Sequence, residues 1–253
     1  MIEPLLEATQ SLVLFAFVVQ KGAAMPVFLL SDELEFPPTH LASEGGLLAV
    51  GGDLSPDRLL LAYGRGIFPW YAEDEPILWW SPDPRLVLFP DHIIISKSLQ
   101  RTVRKAVFQV TMDRAFEQVI RSCARIRLQS GESTWIVEEM IRAYCRLHEE
   151  GFAHSVEAWY EGELAGGLYG VSLGGCFFGE SMFTRVSNAS KVAFVHLVRQ
   201  LSGWLFTLVD CQVTTAHLTR FGAVEIPRSG FIDLLNQSLN APTRRGRWEF
   251  EEK

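Results

Sequence analysis

A chain of 253 residues that is 48% hydrophobic and 21% charged can bury a sizeable core, and is neither disordered nor a low-complexity fibre. Its four cysteines, Cys123, Cys145, Cys176 and Cys211, form no CxxC pair and have no histidine at ligand spacing. That argues against a zinc site or a disulfide scaffold and for a reducing cytosol.

The first apolar run, Leu12 to Val19, is shorter than the ~20 residues a bilayer span needs, and Glu3 and Glu7 stand where a secretory signal would be basic. No membrane association is expected. Met25 is followed by an ordinary strand sequence, so translation is expected to start there, with residues 1–24 a non-native or disordered extension. Residues 36–86 are crowded with Pro, Gly and Trp and read as loop-rich, with one helix. Ser55-Pro56-Asp57 supplies its N-cap, first-turn proline and acid, and the helix runs through Leu59 and Tyr63 to stop at Gly66.

Beyond Arg85 the pattern predicts a strand Leu86–Phe89, a capped helix Ser96–Lys105, a strand Phe108–Thr111, a helix from near Asp113 and a long helix Trp135–Gly151. Apolar runs at His154–Tyr160, Glu163–Leu173 and Cys176–Met182, split by Glu161-Gly162 and Gly174-Gly175, predict an antiparallel meander. A helix Ala189–Ser202, a strand Leu205–Cys211, a helix Thr215–Phe221, a strand Val224–Ile226 and a helix Phe231–Leu239 complete an α+β order. The expected organisation is the extension 1–24, a small N-terminal domain 25–86 and a larger domain 87–253.

Net charge is −7, which by itself counts against a nucleic-acid partner, yet it is unevenly spread. Between Ile95 and Arg127, eight basic residues face two acids, a balance of +6, leaving −13 for the rest of the chain. One face suited to a polyanion is one reading of this block, and solvated helix faces are the other. No nucleophile elbow, HExxH, P-loop or GxGxxG motif is present. Glu180 and Asp210 end apolar strands, where a carboxylate needs a partner or a task, and Gln212 follows Asp210 on the same face if the strand continues. Structural readings compete: Asp210 as a helix cap, and Glu180 paired with Arg185. Trp70, Trp79, Trp80 and Trp135 can stack on bases or simply fill the core. Leu168, Phe177, Met182, Phe194 and Val209 read from pattern as packing.

Seven segments together resemble one family: GGLLAVGGDLSPDRLLLAYGRGIFPW, PILWWSPDPR, STWI, GGLYGV, FFGESMF, NASK and VDCQ, in order from about Phe36 to Pro227. This is similar to the leucyl/phenylalanyl-tRNA-protein transferases. The resemblance implies a bacterial, cytosolic, monomeric enzyme without cofactor. Its small N-terminal domain would be joined to a GNAT-like C-terminal domain, and it would move Leu or Phe, less well Met, from aminoacyl-tRNA to the N-terminal Arg or Lys of acceptor proteins, creating an N-degron. It implies catalytic positions at Asp210, Gln212 and Glu180, adenosine contacts at Trp70 and Trp135, and an aminoacyl pocket of Leu168, Phe177, Met182, Phe194 and Val209. Lys97, Arg101, Arg104 and Lys105 would meet the tRNA acceptor stem. The chain departs from the family in Ser133, where Gly is usual, and in a longer Arg125–Glu132 loop. Chemistry by Asp210, directly or through Gln212, on the acceptor amine is expected, with Glu180 holding the donor. A noncatalytic RNA-binding module and a CoA-dependent acetyltransferase are the rivals, the latter lacking its CoA loop.

Overall fold

A computed structural model describes residues 15–20, 23–129 and 134–251. Residues 1–14, residues 130–132 of the expected Arg125–Glu132 loop and Ser133 lie outside these, while residues 125–129 of that expected loop are the end of a helix. Among the described residues there are two sheets.

The smaller sheet has strands β1 (Phe15–Gln20), β2 (Ala23–Leu30), β3 (Leu47–Gly51), β4 (Phe68–Pro69) and β5 (Leu78–Trp80), in the order β1-β2-β3-β5-β4. The segment read as loop-rich is thus organised around a sheet. Its strands are too short, and too interrupted by Gly and Pro, to show a period in sequence. Helix α1 (Pro56–Gly64) forms as its caps predict, with Ser55 Oγ accepting the Arg58 amide at 3.4 Å. Trp79 is fully buried, donates to Gly51 O at 2.8 Å and packs edge-on against Phe36, so it is core rather than a stacking platform.

The larger sheet is built from β6 (Arg85–Leu88), β7 (Gln109–Met112), β8 (Ala153–Tyr160), β9 (Glu163–Leu173), β10 (Cys176–Thr184), β11 (Leu208–Gln212) and β12 (Val224–Ile226), in the order β12-β6-β11-β10-β9-β8-β7. The meander β8-β9-β10 is antiparallel as predicted. The β8–β9 turn places Glu161 at φ 51° and Gly162 at φ 82°, the left-handed pair that a two-residue hairpin needs. Helices α2 (Lys97–Arg104), α3 (Phe116–Gln129), α4 (Glu138–Glu149), α5 (Ala189–Gly203), α6 (Ala216–Thr219) and α7 (Arg228–Ser238) cover its faces. One core cluster joins Leu48, Leu59, Tyr63 and Trp79 to Phe116, Tyr144, Tyr169, Phe178 and Phe231, so the packing runs without a break from the small sheet into the large one.

Several boundaries differ from expectation, among them the last helix, expected over Phe231–Leu239, which already starts at Arg228. Trp135 precedes α4 rather than opening it, because the helix starts behind Val137 with Glu138 and Glu139 in its first turn. The strand expected from Leu205 begins at Leu208, since Leu205 is 83% exposed with φ 63° and belongs to the turn that closes α5. The helix expected over Thr215–Phe221 is the four residues of α6, capped by Thr215 Oγ1.

The feature that positions the site is the parallel pair β10–β11. Its ladder runs Cys176–Leu208, Phe177–Val209 and Phe178–Asp210, then stops, although β10 continues along β9 to Thr184. A bulge between Gly179 and Ser181 on β10, and another between Asp210 and Gln212 on β11, re-aim side chains where the ladder ends. A cleft at the carboxyl ends of diverging parallel strands results. Gly170 lies opposite the first bulge, and a Cβ there would stand 2.2 Å from Phe178 O and 2.6 Å from the Phe177 ring. Gly170→Ala is therefore expected to destabilise the fold by about 1–3 kcal/mol or more, a loss readable as a lower midpoint in urea unfolding.

Candidate active site

A cavity of about 580 Å³ opens where β10 and β11 separate. One wall is apolar: Leu168, Phe177, Phe194 and Val209 are buried, and Met182 is half-buried, all of them lining the cavity. These five, read from pattern as packing, both pack into the core and line the cavity. Trp70, 42% exposed, and half-buried Trp135 stand on the cavity wall contributed by the chain outside β10 and β11. Trp80 tilts against Trp70 at 5.9 Å and donates its Nε1–H to Trp70 O at 2.7 Å, which fixes the exposed indole.

The polar floor consists of Glu180, Asp210 and Gln212, all lining the cavity. Glu180 is 8% exposed and held by three donors: Tyr63 Oη at 2.7 Å and Gln212 Nε2 at 2.8 Å on Oε1, and Tyr144 Oη at 3.1 Å on Oε2. The two tyrosine hydroxyls also touch each other. Burial pushes the Glu180 carboxyl up to about 7, with the Asp210 charge adding to the rise and the three donors opposing it. Both tyrosines are raised well above their usual range by burial and by the Glu180 charge, so they remain donors.

Asp210 is fully buried and tied elsewhere. Arg85 grips it in a two-pronged ion pair, Nε to Oδ1 at 2.8 Å and Nη2 to Oδ2 at 2.7 Å, and Oδ1 also accepts the Gln212 amide at 2.9 Å. The alternative in which Asp210 caps the next helix does not occur, since Thr215 does that, and Arg185 is not the partner of Glu180 but donates to Leu164 O and Ser122 Oγ. Asp210 and Gln212 do not project as an alternating strand would place them: the bulge and the left-handed Gln212, at φ 61°, send Asp210 to Arg85 and Gln212 to Glu180.

Lys97, Arg101, Arg104 and Lys105 are exposed on α2 and at its end, away from the cavity lining, and none is ion-paired to a described residue. Elsewhere the basic block is partly neutralised: Arg121 pairs with Glu117 and Glu138. Among the described residues no group of His, Cys, Asp and Glu is arranged to hold a metal, and no helix is long and apolar enough to cross a membrane.

Sequence reasoning passed over Tyr63, Tyr144 and Arg85. A hint existed, since a tyrosine hydroxyl or guanidinium inside an apolar pattern requires a partner. Those partners lie 117, 36 and 125 residues away in the chain, which no local pattern reveals.

A protonatable carboxylate beside an apolar slot, in a cleft at the ends of parallel strands, has the form of a substrate site rather than of a packing interface. Two family models match, "Leucyl/phenylalanyl-tRNA protein transferase" over residues 87–236 and its N-terminal domain over residues 52–83. Leucyl/phenylalanyl-tRNA–protein transferases of Syntrophobacter fumaroxidans, Desulfatibacillum aliphaticivorans and Myxococcus xanthus are 62%, 60% and 56% identical to the chain, over 90%, 90% and 88% of it and 97%, 98% and 97% of their own lengths. The chain belongs to the leucyl/phenylalanyl-tRNA protein transferase family and is an aminoacyltransferase. A solved structure, L-PGS from Bacillus licheniformis, aligns over 67% of this chain and 54% of its own with a TM-score of 0.37 and 11% identity, a likeness too slight to argue from.

The raised Glu180 carboxyl has a consequence for stability. Between about pH 4.5, its ordinary value, and about 7 the folded chain holds a proton that the unfolded chain has lost, so this group makes stability fall as pH rises through that window. Glu180→Gln is expected to flatten that part of the curve, as urea unfolding at about pH 5 and about pH 8 would measure.

Proposed function

We propose that the chain transfers Leu or Phe, and less well Met, from aminoacyl-tRNA to the N-terminal Arg or Lys of acceptor proteins in the cytosol, forming a peptide bond and marking the product as an N-degron. One observation carries the chemical part: Glu180, buried and triply hydrogen-bonded, shares a cavity with the apolar slot of Leu168, Phe177, Met182, Phe194 and Val209. We read the larger sheet as GNAT-like on the strength of its meander β8-β9-β10 followed by α5 and the parallel strand β11.

In this reading the aminoacyl side chain enters the slot. An unbranched Cβ followed by bulk suits Leu and Phe, whereas Val and Ile place branching at the entrance, and such discrimination amounts to about 1–3 kcal/mol per methylene. The terminal adenosine lies on Trp70 and Trp135, each stacked ring contributing about 1–3 kcal/mol. The acceptor arrives as an ammonium whose ordinary pKa is about 7.7–8.0. Gln212 donates its Nε2–H to Glu180, which leaves its Oε1 free to accept from the amine and aim it at the ester carbonyl. Glu180, pushed up to about 7, is matched to take the proton the ammonium gives up. The neutral amine attacks the ester carbon, the C–O bond to the ribose breaks, and the second proton, shed by the attacking nitrogen, leaves on the ribose oxygen. Alignment of amine and ester supplies several kcal/mol of the barrier.

The expected proton transfer to Asp210 gives way here to Glu180. Asp210, clamped by Arg85 on both oxygens, acts as a positioning residue that fixes the Gln212 amide. The exposed cations of α2, Lys97, Arg101, Arg104 and Lys105, supply affinity for the tRNA acceptor stem without reading sequence.

Transfer of labelled leucine from Leu-tRNA to a peptide beginning with Arg, and not to one beginning with Ala, is the expected result, and equal transfer to both would refute the acceptor reading. Glu180→Gln should lower kcat by about 10²–10⁴-fold and remove a rate inflection near pH 7, whereas a retained inflection would count against Glu180 as the base. Changing Lys97 and Arg101 to Ala should raise KM for the tRNA donor and not for aminoacyl-adenosine, with equal defects on both donors excluding the α2 assignment.

A further inference from the structure

Outside the basic block, two further cations, Lys191 and Arg220, stand close in sequence to residues that line the cavity. Lys191 stands in the first turn of α5 beside Ser190, which lines the cavity at 6% exposure and whose hydroxyl has no partner among the described residues. Asn188 precedes α5 without a side-chain cap, and the amides of Ser190 and Lys191 find no acceptor among the described residues. Arg220 follows α6, whose His217 also lines the cavity with its Nε2 buried and unpartnered. Neither Lys191 nor Arg220 is ion-paired to a described residue. The imidazole of His217 is held below its usual range by burial and then by the charges of Lys191 and Arg220. This corner is tied to the basic helix: the Ile94 amide, in the lead-in to α2, donates to Phe221 O at 2.8 Å, next to Arg220.

We propose that this mouth binds the phosphodiester backbone of the donor's single-stranded 3′ end, with Lys191 and Arg220 contacting phosphate oxygens, the Ser190 and Lys191 amides donating to one of them, and His217 donating at the lip. The inference rests on the aminoacyl-tRNA donor of the function proposed above. Uncapped amides at the start of a 15-residue helix, reinforced by adjacent cations, form an anion site. Charge also selects the occupant: an acceptor beginning with Arg or Lys is repelled here, while a polyanion is attracted. The donor is thereby led from α2, past Phe221, into the cavity, and the acceptor must enter by another side.

The experiment uses the full chain and three donors bearing the same aminoacyl group: intact tRNA, the trinucleotide CCA and adenosine alone. The trinucleotide carries phosphates to the mouth and is too short to reach along α2. The unsubstituted chain is expected to prefer trinucleotide over adenosine by about tenfold in kcat/KM, and Lys191→Gln with Arg220→Gln to bring that ratio to about one. Lys97→Ala with Arg101→Ala should leave the ratio at about tenfold. The slope of log KM against log salt for the trinucleotide should shrink by about 1.4 in the Lys191 and Arg220 double variant, at about 0.7 for each phosphate no longer neutralised. Lys191→Arg with Arg220→Lys, which keeps both charges, should retain the preference. An unchanged ratio in the charge-removing variant, or loss of the ratio in the charge-keeping one, would overturn the inference while transfer by the unsubstituted chain leaves the function standing. No transfer by the unsubstituted chain from any donor would overturn both.

Discussion

The ion pair between Arg85 and Asp210 is the constraint on which the site depends. Both side chains are almost wholly removed from water, an arrangement that costs several kcal/mol per ion unless every polar atom is met. Here the remaining valences are used. Arg85 also donates to Gly66 O at 3.2 Å and lies between the rings of Phe68 and Phe231, while Asp210 accepts the Gln212 amide. A buried pair of this kind adds little net stability, but breaking it by removing one partner is costly, so it fixes geometry. It locks β6 to β11, sets the chain after α1 against the large sheet, and through the Gln212 amide determines where the left-handed turn at the end of β11 falls.

From that turn the rest of the site follows. Gln212 reaches Glu180, which rises from a bulge on the neighbouring strand, and the two tyrosines close the other side of the carboxylate from α1 and α4. Three separate elements therefore converge on one side chain carried by a fourth. The carboxyl ends up with a proton affinity close to that of an amine terminus because burial outweighs three hydrogen bonds. Its neighbour Asp210, wholly buried, has both oxygens taken up by Arg85 and the Gln212 amide. Two carboxylates in one cleft thus have different surroundings, one held by neutral donors and the other by a guanidinium.

Much of this was legible in the chain. The meander, α5 and the capped helices α1 and α2 were readable because each is governed by local rules: apolar period, turn residues with left-handed preference, and Ser N-caps. Glu180, Asp210 and Gln212 stood out because a carboxylate at the end of an apolar strand demands an explanation, and the motifs around them carried the family resemblance. What failed locally was the small sheet, whose strands of two to five residues in the Pro- and Gly-rich stretch have no room for a period, and the start of α4, where Trp135 fits a helical pattern but Glu138 supplies the favourable first turn.

The amino-acid sequence by itself determined the α+β order and the family, and singled out the candidate site residues, since these depend on residue type and near neighbours. Only the tertiary structure decided which carboxylate can exchange a proton. That property belongs to Tyr63, Tyr144, Arg85 and the depth of burial, contributed by segments 36 to 125 residues distant. It likewise decided that Ser190 and His217, from separate helices, line one cavity, because the chain brings these groups together only by folding.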